Sequence, residues 1–420
     1  MYLLTVVAQL TALLKMWLSA HLFGIGPELD AYYLALVLPT FIAAIITSVL
    51  QTGLFPVQAK LITGGDFVTI VQFERTVMIG AAIVGAVISL AVMISAPALT
   101  NIIAASAPDS VRTLVHYSLP YAAILVFLNI LVESAGYLLA MHNRFQLALA
   151  APIVNGLFGA ALLASWPEGQ FTALVMSTLI GLMLQAIICL VGLRTIGFSW
   201  GRLPALIQIK DYWFEIITLG FPILPGVFCT NLIVSLPQLW IAYYGEGAVS
   251  AFAFAFRLHT TIVQLLIVSI SPVVLAKFAT LVVEHNHQRI RHLIKLSAYA
   301  SITIGIIAVL VIGLWGQWSL KFIFGGRFDD LAASRVSLHW LWLTIGLPFT
   351  LLSTVFSKLF LAEKKSAMLS FFAGVSLLTL MMAACLLKKP MGELSIAISI
   401  TVTSVLTLLL FLWGNNYFKN

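Results

Sequence analysis

Three ionisable side chains interrupt apolar stretches where charge is costly: Lys15, Glu133 and Arg257, the last followed by His259. At mid-membrane such a group costs at least about 2.5 to 3.5 kcal/mol on insertion scales, so its retention points to a site that uses it. Arg257 carries a planar fork of donors matched to phosphate or carboxylate. Lys15 is a compact cation about twelve residues from one end of its stretch, whereas snorkelling works near helix ends, which favours a cavity-facing role. Glu133 fits an ion pair within a helical bundle or the carriage of a coupling proton, and the sequence leaves both open. Asp30 follows Gly24, Gly26 and Pro27, where an acidic residue suits the start of a helix. Asn231 lies among Pro222, Pro225 and Pro237.

Other chemistries lack their residues. There is no Gly-rich phosphate loop, no metal-spaced His or Cys cluster and no nucleophile beside a base, so neither enzymatic chemistry nor a cofactor is expected. Cys189, Cys229 and Cys385 each stand alone in an apolar stretch and read as small core residues. His285, His287 and His292, with Glu284, read as a solvated basic loop. The net charge of +7 is spread over short loops without interleaved aromatics, so no nucleic-acid partner is expected.

The elements that must position these residues are membrane helices. Hydrophobic residues make up 61% of the 420 positions and charged residues 9%, too few polar groups to cover a water-soluble fold. The apolar stretches are each about 20 residues or longer, enough to cross about 30 Å of hydrocarbon. They fall near 2–23, 31–54, 77–97, 114–140, 147–166 and 171–193, then 216–243, 248–275, 293–315, 336–361, 367–387 and 393–414. The fold class is therefore all-α, a polytopic membrane protein of about twelve spans in two six-helix lobes. The first stretch lacks a basic n-region and a cleavage site, and reads as a membrane helix.

Lysine and arginine divide fourteen to six between alternate loops, which puts both termini in the cytoplasm. A polar connection from Arg194 to Glu215, with Trp200, Arg202, Ile207, Trp213 and Phe214, has the pattern of a segment lying along the inner leaflet. The expected organisation is one lobe over 1–200, a linker over 201–215 and a second lobe over 216–420. An even number of helices per lobe makes a duplication parallel. Its traces are Phe55-Pro-Val-Gln-Ala-Lys60 against Ser271-Pro-Val-Val-Leu-Ala-Lys277, and Leu138-Leu-Ala-Met-His-Asn against Phe360-Leu-Ala-Glu-Lys-Lys. Pro39, Pro120, Pro222, Pro225, Pro237, Pro272 and Pro348 break spans in both halves, as in a transporter that bends.

At Leu22-Phe-Gly-Ile-Gly and Asp30-Ala-Tyr-Tyr-Leu-Ala-Leu-Val-Leu-Pro39 the sequence resembles the MurJ/MviN group of lipid II flippases, within the multidrug/oligosaccharidyl-lipid/polysaccharide exporter superfamily. Leu119-Pro-Tyr121, His142-Asn-Arg-Phe145, Ala151-Pro152 with Asn155, and Gly245 to Arg257-Leu258 follow the same pattern. The resemblance implies a flippase that moves an undecaprenyl-pyrophosphate-linked saccharide, lipid II or another polysaccharide repeat unit, from inner to outer leaflet of the bacterial cytoplasmic membrane by alternating access. It implies that Lys15, Asp30 and Arg257 line a cationic cavity; Glu133, Asn231 and His259 complete the candidate substrate-contacting set. Ala43 and Ala44 stand where that family carries arginines. Expected partners are the lipid-linked glycan, membrane lipids, and glycan polymerase or glycosyltransferase machinery. Two rival readings are a cation-coupled drug or metabolite antiporter of the same superfamily and a membrane-bound glycan polymerase or ligase.

Overall fold

The computed structural model describes residues 2–64, 67–166, 170–198 and 206–415, without the side chains of 67, 206–209 and 268–272. Trp200, Arg202, Lys419, the first part of the 201–215 linker and the side chains of Ile207 and Pro272 lie outside the described residues. In chain order the helices are α1 (Tyr2–Phe23), α2 (Pro27–Gly64), α3 (Phe67–Ile94), α4 (Ala96–Ile103), α5 (Asp109–Met141), α6 (Phe145–Ser165), α7 (Phe171–Arg194) and α8 (Leu206–Gly220). They continue as α9 (Leu224–Trp240), α10 (Ala248–Val283), α11 (His287–Phe324), α12 (Asp330–Ile345), α13 (Leu347–Ala362), α14 (Ser366–Met391) and α15 (Ser395–Gly414). The described residues contain no strand.

Among the described residues ten helical runs are long and apolar enough to cross a membrane, eleven with α12 and α13 taken as one bent span. One of the ten, Ser366–Gly414, doubles back at Gly392–Leu394, so α14 and α15 pack side by side and count as two spans, which makes twelve among the described residues. Several helices outrun their apolar stretches. α2 has 38 residues and α11 has 38, because backbone bonding continues through the polar headgroup zone after hydropathy has fallen. α4 is absent from the sequence reading, since its 8 residues are too few for a span.

Proline breaks follow their backbone chemistry. Pro348 lies in the first turn of α13, and α12 and α13 meet at 43° across Gly346. Pro222 sits in a 3₁₀ turn, Phe221–Ile223, that joins α8 to α9. Pro39, Pro56, Pro120 and Pro237 are carried inside continuous helices.

Two compact units emerge. The first holds Met1–Phe23 and Ala31–Val227, the second Gly24–Asp30 and Phe228–Asn420. The first buries Phe73, Met78, Leu54, Leu138 and Leu139 at its centre. The second is stacked on aromatic rings, with Phe360, Phe372 and Phe411 meeting at centroid distances of 5.3 to 5.8 Å. Neighbours repeat between the units: α6 packs on α7 as α14 on α15, and α3 on α5 as α11 on α12 and α13.

Helix ends repeat too. After α5, Asn143 has φ 60°, Asn143 N–H donates to Ala140 O and Arg144 N–H to Leu139 O. After α13, Lys364 has φ 59°, Lys364 N–H donates to Leu361 O and Lys365 N–H to Phe360 O. Both are Schellman closures with a left-handed residue, one residue out of the register of the sequence match, which sets Asn143 against Lys365.

α8 packs into the first unit. Trp213 Nε1 donates to Thr76 O at 3.3 Å, and a Cβ on Gly53 would lie 2.1 Å from Ile216 O. Trp213 and Ile216 thus seat α8 on α3 and α2. Cys189 is buried and Cys229 half-buried, but Cys385 is exposed on α14. Its reading as a core residue is corrected: a thiol is apolar enough to face hydrocarbon, so an apolar neighbourhood in the chain does not mean an interior position.

Candidate functional site: a polar cleft and embedded charges

Within the first unit, one face of α2 and one face of α5 line a polar cleft of about 290 Å³. Thr40, Ala43, Ala44, Thr47 and Ser48 come from α2, at the i, i+3, i+4, i+7, i+8 spacing of a single helical stripe. Asn129 and Glu133 come from α5, one turn apart.

Backbone accounting shows what the cleft offers. Thr40 Oγ1 donates to Leu36 O at 2.7 Å, Ser48 Oγ to Ala44 O at 2.7 Å and Asn129 Nδ2 to Leu125 O at 2.8 Å. The hydroxyl protons and one Asn129 N–H satisfy carbonyls of their own helices, leaving hydroxyl lone pairs and the Asn129 Oδ1 as acceptors and the second Asn129 N–H as a donor. Glu133 is open to the cleft, and Tyr137 one turn on hydrogen-bonds both Glu133 and Thr47. Ala43 and Ala44 lie on this wall, so where arginines were noted in the resembling family the cleft has short apolar side chains. Glu133 is the one ionisable residue lining it; Lys15, Asp30 and Arg257, the residues expected to line a cationic cavity, do not line this cleft.

Lys15 lies elsewhere in the same unit. Its Nζ donates to Thr178 Oγ1 at 2.7 Å, and Tyr32 OH lies 2.7 Å from the same oxygen. Thr178 gives its own proton to Leu174 O at 2.9 Å, so it accepts from both Lys15 and Tyr32. Gly159 makes room for the lysine stem: a Cβ there would lie 3.2 Å from Lys15 Cδ and 3.3 Å from Ser177 O. Lys15 and Glu133 are not brought together; each is held by its own hydroxyl partner.

Asp30, Asn231, Arg257 and His259 fall differently. Asp30 belongs by its contacts to the second unit, where its carboxylate accepts from Gly247 N–H at 2.6 Å and Ser250 N–H at 2.7 Å. It therefore caps α10 rather than the helix that carries it. Arg257 and Asn231 are half-buried and engaged by neighbours, and His259 is buried with an unpartnered Nδ1.

Sequence reasoning missed two polar clusters. In the second unit Glu393 accepts from Arg335 Nη2 at 2.9 Å and pairs with His339 Nε2 at 2.9 Å, while Arg335 Nη1 donates to Glu246 O at 3.2 Å. Arg335 and Glu393 lie far apart in the chain, and no local spacing announces them. In the first unit Gln58 Nε2 donates to Glu74 Oε1 at 3.0 Å, and His142 pairs with the same oxygen. That hydrogen bond to Glu74 holds the His142 imidazole above its ordinary pKa. His142 was visible in the sequence as part of a family motif, but its acidic partner was not. Among the described residues no three His, Cys, Asp or Glu side chains gather as a metal site would need.

Comparison with known proteins follows the same architecture. A curated relative from Rhizobium meliloti (strain 1021), described as a probable lipid II flippase MurJ, is 24% identical over 390 residues, covering 89% of this chain and 71% of its own length. A solved structure of lipid II flippase MurJ in an inward closed conformation superposes with a TM-score of 0.84 at 19% identity, over 98% of this chain and 86% of that one. An inward-facing multidrug resistance MATE family transporter of the MOP superfamily follows at 0.74 and 15%, over 99% and 94%. The family model described as lipid II flippase MurJ matches residues 19–416, and the chain belongs to that family.

Proposed function

We propose that this protein flips an undecaprenyl-pyrophosphate-linked saccharide, lipid II or a related repeat unit, across the bacterial cytoplasmic membrane by alternating access. The observation that carries the reading is the family match over residues 19–416. The polar cleft supports it, because a span-embedded wall of hydroxyls, an amide and a carboxylate is matched to sugar hydroxyls. A carboxylate repels pyrophosphate, so the cleft takes the saccharide, and the embedded cations Lys15 of the first unit and Arg257 of the second are each a candidate contact for the phosphates. Arg257 supplies a bidentate fork and Lys15 a point charge. The prenyl tail stays in lipid.

The cycle is a transporter's rather than an enzyme's: no bond is made or broken, and work is done by exposing one site to two sides. With both termini in the cytoplasm, the outward path carries an anion toward the positive side. The membrane potential then assists by about 2.3 kcal/mol per charge per 100 mV. The product would be handed to glycan polymerase or glycosyltransferase machinery. Glu133 as the ionisable group of its cleft gives the cation-coupled antiporter a specific foothold, but the family match ranks it second.

The test is transport in liposomes holding defined glycan lipids, scored by protection of the headgroup. Arg257→Ala and Lys15→Ala should each slow movement while the protein stays folded. Wild-type rates in both variants would remove the cationic half of the site, and no movement of any glycan lipid by wild type would pass the question to free organic cations.

A further inference from the structure

A groove of about 260 Å³ runs between α10, α11 and α13 in the second unit. Leu266, Val274, Leu296, Ile304, Leu351 and Val355 make its walls apolar, and Lys358 stands at one end. A second cleft adjoins it along the α10–α11 seam, sharing Leu293, and is lined by Lys277, Arg289 and His292 with Glu284 as its one acid. None of the ion pairs among the described residues engages Lys277, Arg289 or Lys358. An apolar slot that ends in unpaired cations has the polarity of one molecule, an anionic lipid lying with its tail in the slot.

Length decides which lipid. From Leu293 to Ile304 the groove follows α11 for about 16 Å at 1.5 Å per residue, close to half of the roughly 30 Å hydrocarbon core. That matches one acyl chain of one leaflet and is far too short for a polyprenol of eleven isoprene units. Basic clefts between membrane helices on the cytoplasmic side, where the lysine and arginine distribution puts this rim, are suited to anionic headgroups. We infer that the α10–α11–α13 groove is a binding site for an anionic glycerophospholipid of the inner leaflet, with its phosphate at Lys277, Arg289 and Lys358 and one acyl chain against Leu296 and Val355. The lipid bridges helices that pack through this groove, and its binding does not depend on what the protein transports.

The experiment is native mass spectrometry and thermal unfolding of the delipidated protein, titrated with phosphatidylglycerol or with phosphatidylethanolamine of identical chains. Phosphatidylglycerol should be retained and raise the melting temperature, with retention falling about fivefold for each charge removed in Arg289→Gln and Lys358→Gln. Ala300→Trp, which fills the slot, should abolish retention with the charges intact, and Lys389→Gln at the far end of α14 should change nothing. Equal retention of the two phospholipids, or wild-type retention in the double charge variant, overturns the inference. So does displacement by glycerol phosphate, which would mark a free-anion site, or preferential displacement by undecaprenyl phosphate, which would mark a prenyl-tail site.

Discussion

Asp30, carried at the start of α2, closes the N-terminus of α10 by accepting from the backbone of Gly247 and Ser250, at 2.6 and 2.7 Å. Those N–H groups have no partner within their own helix, and a carboxylate there also meets the positive end of the helix dipole. The carboxylate is buried, so water cannot replace it. Asp30→Ala should therefore cost about 2 kcal/mol of stability, at the upper end of N-cap losses. Asp30→Asn, which keeps an acceptor oxygen, should lose less. Thermal unfolding in one detergent separates the two; equal losses would mean that the charge carries the effect and not the cap.

The contact of α8 with α2 rests on missing side chains. A Cβ on Gly53 would lie 2.1 Å from Ile216 O, and one on Gly220 would lie 2.4 Å from Val49 O. Both obstacles are backbone and cannot rotate away. Gly53→Ala should destabilise by at least about 1–3 kcal/mol, the overpacking range. Gly374→Ala is the control: nothing lies within 4 Å of its Cβ, and a mid-helix alanine should be neutral or stabilising by about 0.5–1 kcal/mol. A tolerated Gly53→Ala, read by melting temperature, would show that α8 stands off from α2.

Much of this fold was legible because hydrocarbon imposes one rule on every span. The twelve crossings, the all-helical class and the Pro348 bend follow from apolar length and proline chemistry. The Asn143 and Lys364 closures fall in the two segments that the sequence match set side by side, but one residue out of its register, because the match rests on Leu-Ala identities and not on the left-handed residue. The site was less legible. Asp30 read as a cap, but the helix it closes is distant in sequence, and no local pattern can name such a partner. Glu133 was singled out as an embedded charge, yet its separation from Lys15 depends on which faces of α1, α5 and α7 meet. Glu74, Arg335 and Glu393 went unnoticed because they lie near span ends, where a charge costs little and draws no attention.

The Glu74–His142 pair gives stability a pH dependence of known sign. The native state raises the imidazole pKa above its ordinary 6.5, so the folded protein holds the proton more tightly than the unfolded chain. Its contribution is complete below about 6.5 and is lost as pH rises through the folded-state value. Melting temperature should fall over that window in wild type, and the part due to this pair should vanish in His142→Gln. A fall of equal size in His142→Gln would assign the titration to another group.

Glu133 separates recognition of the sugar from recognition of the phosphates. If its carboxylate accepts sugar hydroxyls beside Asn129 and Thr47, removing it leaves those hydroxyls without a partner in a span-embedded cleft, which is penalised more than the loss of an exposed contact. Glu133→Ala should slow flipping of a glycan lipid about tenfold, the equivalent of 1.4 kcal/mol, with Glu133→Gln in between because the amide keeps one acceptor. The sugarless carrier, undecaprenyl pyrophosphate, should move at the same rate in all three proteins, since it offers the cleft nothing to bind. Measuring both lipids in the same liposomes makes the comparison internal. An equal slowing of the two would place Glu133 in coupling or in the conformational cycle. A faster sugarless carrier in Glu133→Ala would mean that the carboxylate faces the phosphates and repels them, and the division of labour between cleft and cations would have to be redrawn.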